Sequence, residues 1–357
     1  MLLSVLDQIN LTPFDKDAPS FLLKLKADQK LDYQAGDWLT VKGKNPSSLV
    51  TRLMGMLGLQ PNHLVSLRRQ GEVTVEQALT DYLELTLLDP AILNKLVRQY
   101  NYQAWSSRAE MQAYAQNRDI VDLLIAFPDL CELGVEFLAL LSPLAPRYYS
   151  IASSPLAYPD EIHLLYKAIR FQREDRQRVG VTSDFMSQVR LGDLLQVEIK
   201  PNPHFRVPES LNTPIVMMAA GTGLAPFIGF MQQRIMEGAH SKNLLYFGET
   251  HRASRFLCQS MLEAWQQQGA LDLLTVFSRD QVHKSYVQDL LLQNQSWLEL
   301  WQAGATLYVC GDKTGLAKGI EQAIKLVWCK QYNWEIEAAD QAWLEAKQLK
   351  RIQLDVY

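Results

Sequence analysis

The sequence predicts an α/β plus all-β protein: an antiparallel barrel carrying a helical insertion, followed by a doubly wound parallel sheet. Three patterns carry that expectation. Short alternating runs bounded by Pro, Gly and Asp occur near the N-terminus and again after residue 137. Between them, apolar residues recur three and four apart, as on amphipathic helices. Beyond Pro208, strand-like and helix-like runs alternate, the rhythm of a parallel sheet.

In residues 1–48 the runs FLLKLKAD and GDWLTVKG read as half-buried strands of the first part of the barrel. Residues 49–136 form the insertion, where VEQALTDYLEL, PAILNKLVRQYNY, RAEMQAYAQ and DIVDLLIAF all read as helices. Strands return in 137–208 with RYYSIASS, EIHLLYKAIRF and LLQVEIKPN, which complete the barrel. Residues 209–357 hold IVMMA, NLLYFGE, LDLLTVFS and TLYVCGD with helices between them, a helix from Thr314 to about Tyr332, and a last strand in QLDVY. Ligands of such sheets bind beyond the carboxyl ends of the strands, so GTGLAP, SRDQ and CGDK should converge on one crevice.

Composition narrows the function. The 357 residues are 48% hydrophobic and 21% charged, enough apolar surface for two or three packed domains. A net charge of −4 gives no electrostatic case for nucleic acid or an acidic membrane. The start MLLSVLDQINLTPFD has neither a basic leader nor a long apolar core, so a cytoplasmic location is the default expectation. Four dispersed cysteines and six histidines suggest neither a disulfide framework nor a metal site.

The stretch Ile215 to Met231 is uncharged and long enough to raise a membrane span, but Gly221, Gly223 and Pro226 sit at its centre. A buried strand, a tight turn and a helix with Pro226 in its first turn is the better parsing. The turn Gly221-Thr222-Gly223 could bring backbone N–H groups to a pyrophosphate, although the third glycine of the dinucleotide fingerprint is replaced by Pro226; a tight turn without ligand stays open. Ser278-Arg279, with Lys284 and Tyr286, suits the 2′-phosphate of NADP, or is a solvated charged loop in which Asp280 pairs with Arg279. Cys310, followed by Gly311 and Asp312, faces the crevice or is simply a buried hydrophobe. Arg147-Tyr148-Tyr149-Ser150 combines a cation, aromatic faces and a hydroxyl, the parts a flavin needs, or follows from barrel packing.

Taken together, RYYSIASS, GTGLAPF, SRDQ with KSY, LYVCGD and a terminal LDVY resemble, in that order, the ferredoxin-NADP reductase superfamily. Within it the resemblance is to the FAD and NADPH half of the diflavin reductases of the NADPH-sulfite reductase flavoprotein type, and it covers nearly the whole chain. It implies that Arg147 contacts the FAD pyrophosphate, that Tyr149 lies on a flavin face and that Ser150 stands near N5. Phe171 takes the place of the aromatic stacked on adenine. Gly180, Val181, Thr182 and Ser183 resemble the second pyrophosphate loop, with Asp184 bringing a charge where the family has a small polar residue. Tyr148, Lys167 and Asp312 complete the expected cofactor contacts.

The same resemblance gives Gly221, Thr222 and Gly223 to the NADPH pyrophosphate, with Ala219 at a position that is often glycine. Ser278, Arg279, Lys284, Tyr286 and Gln288 match the 2′-phosphate clamp. Ser150, Cys310 and Asp355 would line the hydride path, and Tyr357 would cover the flavin until nicotinamide displaces it. The helical insertion resembles the connecting domain of these enzymes. The family's flavodoxin-like FMN domain has no counterpart in the 357 residues.

The expected function is therefore an NADPH-dependent FAD oxidoreductase delivering electrons to a separate protein, a flavodoxin-like FMN protein or a haem or iron-sulfur reductase subunit. Two alternatives remain: a ferredoxin or flavodoxin reductase working toward NADPH, and a non-catalytic binding module of a redox complex.

Overall fold

The computed structural model describes residues 1–173 and 176–357. The chain separates into two compact units, one made of Met1–Thr40, Tyr148–Lys167 and Arg190–Tyr357, the other of Val41–Arg147 and Ala168–Val189. In chain order the strands are β1 (Leu2–Asn10), β2 (Ser20–Lys26), β3 (Trp38–Val41), β4 (Leu64–Leu67), β5 (Gly71–Thr74), β6 (Arg147–Ser150), β7 (Glu161–Lys167) and β8 (Arg170–Arg173). They continue with β9 (Arg176–Val179), β10 (Leu194–Lys200), β11 (Ile215–Ala220), β12 (Asn243–Glu249), β13 (Asp272–Phe277), β14 (Thr306–Gly311) and β15 (Ile352–Val356).

The antiparallel sheet runs β6-β3-β10-β1-β2-β7. A bridge from Ile151, just past β6, to Leu164 of β7 joins its two edges, and Ala152 N–H donates to His163 O at 2.8 Å, so the sheet closes as expected. On β2, buried Leu23 and Leu25 alternate with the more exposed Lys24 and Lys26. β1 was not among the expected strands. Leucines occur on both of its faces, with Leu3 and Val5 buried and Leu2 and Leu6 exposed, and a register shift between Val5 and Asp7 further blurs its period.

The second sheet is parallel throughout, in the order β13-β12-β11-β14-β15. It is covered on both faces: Met217, Ala219 and Tyr308 belong to one apolar cluster, Val216, Met218 and Val309 to another. That two-sided burial is why its central strands read as continuous apolar runs. The strand order reverses between β11 and β14, which puts the crevice at their carboxyl ends. Helix Ile336–Gln348, absent from the expected elements, buries Ala339, Trp343 and Ala346 at helical spacing among many charged residues.

In the other unit, helices Ser47–Met56, Pro90–Tyr100, Arg108–Ala115 and Ile120–Ala126 surround a core that includes Leu53, Leu93 and Phe137. Asp89, Ser107 and Asp119 cap three of them with side-chain oxygens. Two expectations need correction. VEQALTDYLEL is one turn, Val75–Gln77, followed by the wider turn Ala78–Tyr82, and Leu83 is already extended. EIHLLYKAIRF is not one strand: β7 ends at Lys167, and Arg170–Arg173 pairs instead with β9. The hairpin β4–β5 was also unforeseen; it turns through Gly71 at φ +73°.

The polar strand β9 is fixed by charge. Arg176 donates to Asp119 at 2.5 Å and to Asp122 at 2.6 Å, while Arg178, itself buried, reaches Asp119 at 3.2 Å and also pairs with Asp122. Removing one member of a buried ion cluster leaves uncompensated charge and typically costs about 3–5 kcal/mol. Asp122→Ala is therefore expected to lower unfolding free energy by about that amount. Urea denaturation measures it, and a loss below about 1 kcal/mol would mean that the arginines find water instead.

Candidate active site

The carboxyl ends of the parallel strands open onto a cleft of about 540 Å³ whose walls include Gly221, Thr250, Ser278, Tyr286, Gln288 and Asp312. Gly221 follows β11 at φ +56°, a left-handed conformation that an L side chain resists. A Cβ on Gly223 would lie 2.1 Å from the carbonyl oxygen of Cys310, so only a bare backbone fits there. Residues Gly221–Leu224 make a 3₁₀ turn, and helix Ala225–Met236 begins with Pro226 in its first turn. Ala219 is completely buried, its methyl absorbed by the core.

One wall of the cleft is tied by backbone bonds: Ser278 N–H to Glu249 O and Arg279 N–H to Thr250 O, both 2.8 Å. Asp280 does not neutralise Arg279. Its carboxylate accepts from His251 Nδ1 at 2.9 Å and from the Arg252 N–H at 2.7 Å. Among the described residues neither Arg279 nor Lys284 has an ion-pair partner, and both are exposed. Tyr286 is also exposed, while Gln288 packs against the backbone at Gly319.

At β14 and β15, Cys310 pairs in register with Asp355. The Asp355 carboxylate is buried and accepts the Ser150 hydroxyl on Oδ2 at 2.6 Å, with Cys310 Sγ 3.9 Å from the same oxygen. Trp38 Nε1–H donates to Oδ1 at 2.9 Å. Burial raises the pKa of Asp355, against the hydrogen bonds of Ser150, Trp38 and Cys310, which favour the carboxylate. Burial, with the adjacent Asp355 charge, holds Cys310 well above the ordinary thiol range, so it stays a neutral thiol. Tyr357 is anchored by its backbone to Gly311 and Lys313, and its hydroxyl lies 3.1 Å from Thr222 Oγ1.

In the same unit, Tyr149 meets Tyr166 edge to face at 6.3 Å, Tyr148 is exposed and packs edge-on to Trp38 at 5.8 Å, and Lys167 is exposed at the end of β7. The remaining expected residues lie in the other unit. Arg147 donates to Glu84 Oε2 at 2.7 Å, and buried Glu84 is itself held by Thr86 N–H and Oγ1. Phe171 is exposed on β8. Val181 and Thr182 are buried after Gly180, and the Thr182 hydroxyl has no hydrogen-bond partner, an orphan that a phosphate oxygen would satisfy. Ser183 is committed to the turn, accepting from Ile169 N–H and donating to Gly180 O, both at 3.1 Å. The extra charge of Asp184 is taken up by Arg170 at 3.2 Å and Gln188 at 2.7 Å.

The FAD binding domain family model matches residues 1–185, more than half of the chain. The chain belongs to that family. A second match, to the oxidoreductase NAD-binding domain, covers residues 217–322, the section that contains the cleft. The chain is similar to the sulfite reductase [NADPH] flavoprotein alpha-components of Mannheimia succiniciproducens, 37% identical over 92% of the chain, and of Bacillus subtilis, 33% identical over 99%. That of Cronobacter sakazakii is 37% identical over 99%. The chain spans 56% to 60% of the length of these relatives. The antiparallel sheet, the parallel sheet and the two cofactor-binding domains expected from sequence are thus present. No helix among the described residues is long and apolar enough to cross a membrane, and none of their His, Cys, Asp and Glu groups could hold a metal.

Sequence reasoning missed Trp38, Glu84, Glu249 and Thr250. The last two could have been found, since they stand at and just past the carboxyl end of β12, the side of the sheet on which ligands bind. Trp38 and Glu84 carried no local signal, because their partners are 317 and 63 residues away.

The Gly223 contact makes a sharp expectation. Gly223→Ala forces a methyl against the Cys310 carbonyl and should destabilise the fold by about 1–3 kcal/mol. Thermal unfolding and titration with an adenine dinucleotide check it together; an unchanged Tm with unchanged affinity would mean that the turn has room to move.

Proposed function

We propose that the chain is an NADPH-dependent FAD oxidoreductase that passes electrons to a protein acceptor. The observation that carries the reading is the Ser150–Asp355–Cys310 cluster, standing where β14 and β15 end beside the Gly221–Gly223 turn. The bound cofactors would supply the hydride chemistry and the release of single electrons.

The residues supply binding, orientation and charge. Gly221, Thr222 and Gly223 offer backbone to the NADPH pyrophosphate, and the unpaired Arg279 and Lys284, with Ser278, Tyr286 and Gln288, meet the 2′-phosphate. Asp312, whose carboxylate caps the next turn through Gly315 N–H, lines the same cleft. Asp355, a buried carboxylate with no ion-pair partner among the described residues, gives negative charge to a ring that becomes cationic on oxidation. Ser150 Oγ holds its proton on Asp355 Oδ2, and Cys310 fills the wall as a neutral thiol.

For FAD we assign Tyr148, Tyr149, Ser150, Lys167, Tyr357, Arg147, Phe171, Gly180, Val181, Thr182 and Ser183. The orphaned Thr182 hydroxyl supports the phosphate assignment. Glu84 leaves Arg147 with part of its guanidinium free, since one nitrogen is engaged. The acceptor is assigned to a protein outside these 357 residues, because the relatives carry the name of one component of a sulfite reductase. A haem or iron-sulfur subunit, or a flavodoxin-like FMN protein, fits that role. Chromatography of the released cofactor and NADPH-dependent bleaching of the flavin band test the reading; a colourless protein indifferent to NADPH would overturn it.

Two variants probe the assignments. A charge-assisted hydrogen bond contributes roughly 1.5–3 kcal/mol, so Arg279→Ala should raise the KM for NADPH about tenfold or more and leave NADH nearly unchanged. Equal losses with both nucleotides would remove Arg279 from the clamp. Tyr357→Ala frees Thr222 and opens the flavin face, so it should tighten nicotinamide binding and improve NADH use relative to NADPH. Unaltered kinetics and flavin spectrum would reduce Tyr357 to a strand terminus.

A further inference from the structure

We infer that Trp38 is a positioning residue for hydride transfer: its indole N–H fixes the Asp355 carboxylate and keeps it ionised toward Ser150 and Cys310. The inference rests on Asp355 belonging to the site proposed above. Its basis is the division of the carboxylate between two donors. Oδ1 takes Trp38 Nε1–H at 2.9 Å, while Oδ2 takes the Ser150 hydroxyl at 2.6 Å. An indole nitrogen can only donate, so this contact is compatible with a carboxylate oxygen and cannot accept a proton from it. The two bonds fix the rotation of the carboxyl plane, and with it the direction in which Oδ2 faces Cys310 Sγ.

Trp38 is itself held. It sits on β3 of the barrel, and the ring of Tyr148 on β6 packs on it edge to face, 5.8 Å between centroids and 86° between planes. Its reach to Asp355 therefore ties the barrel to the last strand of the parallel sheet within one unit. The groups that face Asp355 are Trp38 from β3, Ser150 from β6, Cys310 from β14 and Tyr357 at the chain end. Of these only Cys310 and Tyr357 titrate, and both are shifted upward, by burial first, out of the acid and neutral range. Among the described residues no cation pairs with Asp355. With burial pushing Asp355 toward its protonated form, the donors are what oppose it, and the indole is one of only a few.

The sign of the effect follows. Loss of the Trp38 bond favours the protonated acid, so the pKa of Asp355 rises further and the ionised site is lost at a higher pH. A shift of one unit corresponds to 1.36 kcal/mol, slightly less than the roughly 1.5–3 kcal/mol of a single bond to a charged group, so a shift of about one unit is expected.

The test uses the full chain with its flavin bound. In protein labelled with ¹⁵N-tryptophan, the indole resonance that disappears in Trp38→Phe should titrate with one midpoint in the acid range, and Asp355→Asn should abolish that titration. Ser150→Ala should move the same midpoint upward. This arm needs no nicotinamide, so it stands apart from whether NADPH is the substrate. In stopped-flow reduction by NADPH, Trp38→Phe should shift the acidic limb of the rate profile upward by about one unit while leaving the high-pH plateau within a few-fold. The inference is overturned if the Trp38 resonance is indifferent to Asp355→Asn, or if Trp38→Phe lowers the rate equally at every pH.

Discussion

The close approach of the Gly221–Gly223 turn to the end of β14 is the constraint on which the site depends. With 2.1 Å between an ideal Cβ at position 223 and the Cys310 oxygen, a side chain there would separate the two strands at the point where the sheet order reverses. The turn lies against β14 at Cys310, which is buried, and the parallel register puts Asp355 beside it. Ser150 then reaches Asp355 from the barrel, and Tyr357, one residue past β15, meets Thr222 on the turn itself. A small hydrogen-bonded network thus joins the nucleotide turn to the chain terminus.

Ion pairs hold both units, and the exceptions stand at the positions assigned to ligands. In the one built on Val41–Arg147 and Ala168–Val189, cations and anions are matched: Arg176 and Arg178 with Asp119 and Asp122, Arg170 with Asp184, Arg147 with Glu84. These pairs spend the charge of a polar hairpin on holding a fold, and they also quiet the additional carboxylate at Asp184. In the unit with the cleft Arg206 pairs with Asp37 and Arg255 with Glu249, but the residues assigned to the ligands are left unmatched. Arg279 and Lys284 are left without partners where a phosphate is expected, and Asp355 is left without a cation where positive charge would develop. Arg279 and Lys284 are solvated and cost the fold little, whereas a buried carboxylate without a cation is costly, so Asp355 is best understood as complementarity to a ligand.

The legibility of these features in the sequence tracks how local their causes are. IVMMAAGTGLAPF announced strand, turn and helix because two-sided burial, a left-handed glycine and a first-turn proline all act within a dozen residues. The antiparallel strands were readable where one face is charged, as in FLLKLK, and unreadable in β1, where leucines occupy both faces. β9 has no apolar alternation at all, since arginines make its contacts, and its partners lie more than 50 residues earlier. The candidate site divides the same way. Arg279, Cys310 and Asp355 could be proposed from motifs, whereas Trp38 acquires its role only from a partner 317 residues away.

That last contact bears on how the barrel and the parallel sheet act together. A carboxylate on β15 held solely by β14 would be free to rotate toward water or toward Cys310. With Ser150 and Trp38 both reaching it from the barrel, its orientation is set by the domain that family membership gives to FAD, while its position is set by the sheet that carries the nucleotide cleft. The proton affinity of one buried group thereby becomes sensitive to the packing of both sheets. Electrostatic preorganisation of this kind requires that the donors be fixed before the ligand arrives, and Tyr148 against the indole, with the Ile151 bridge closing the barrel behind Ser150, provides that rigidity.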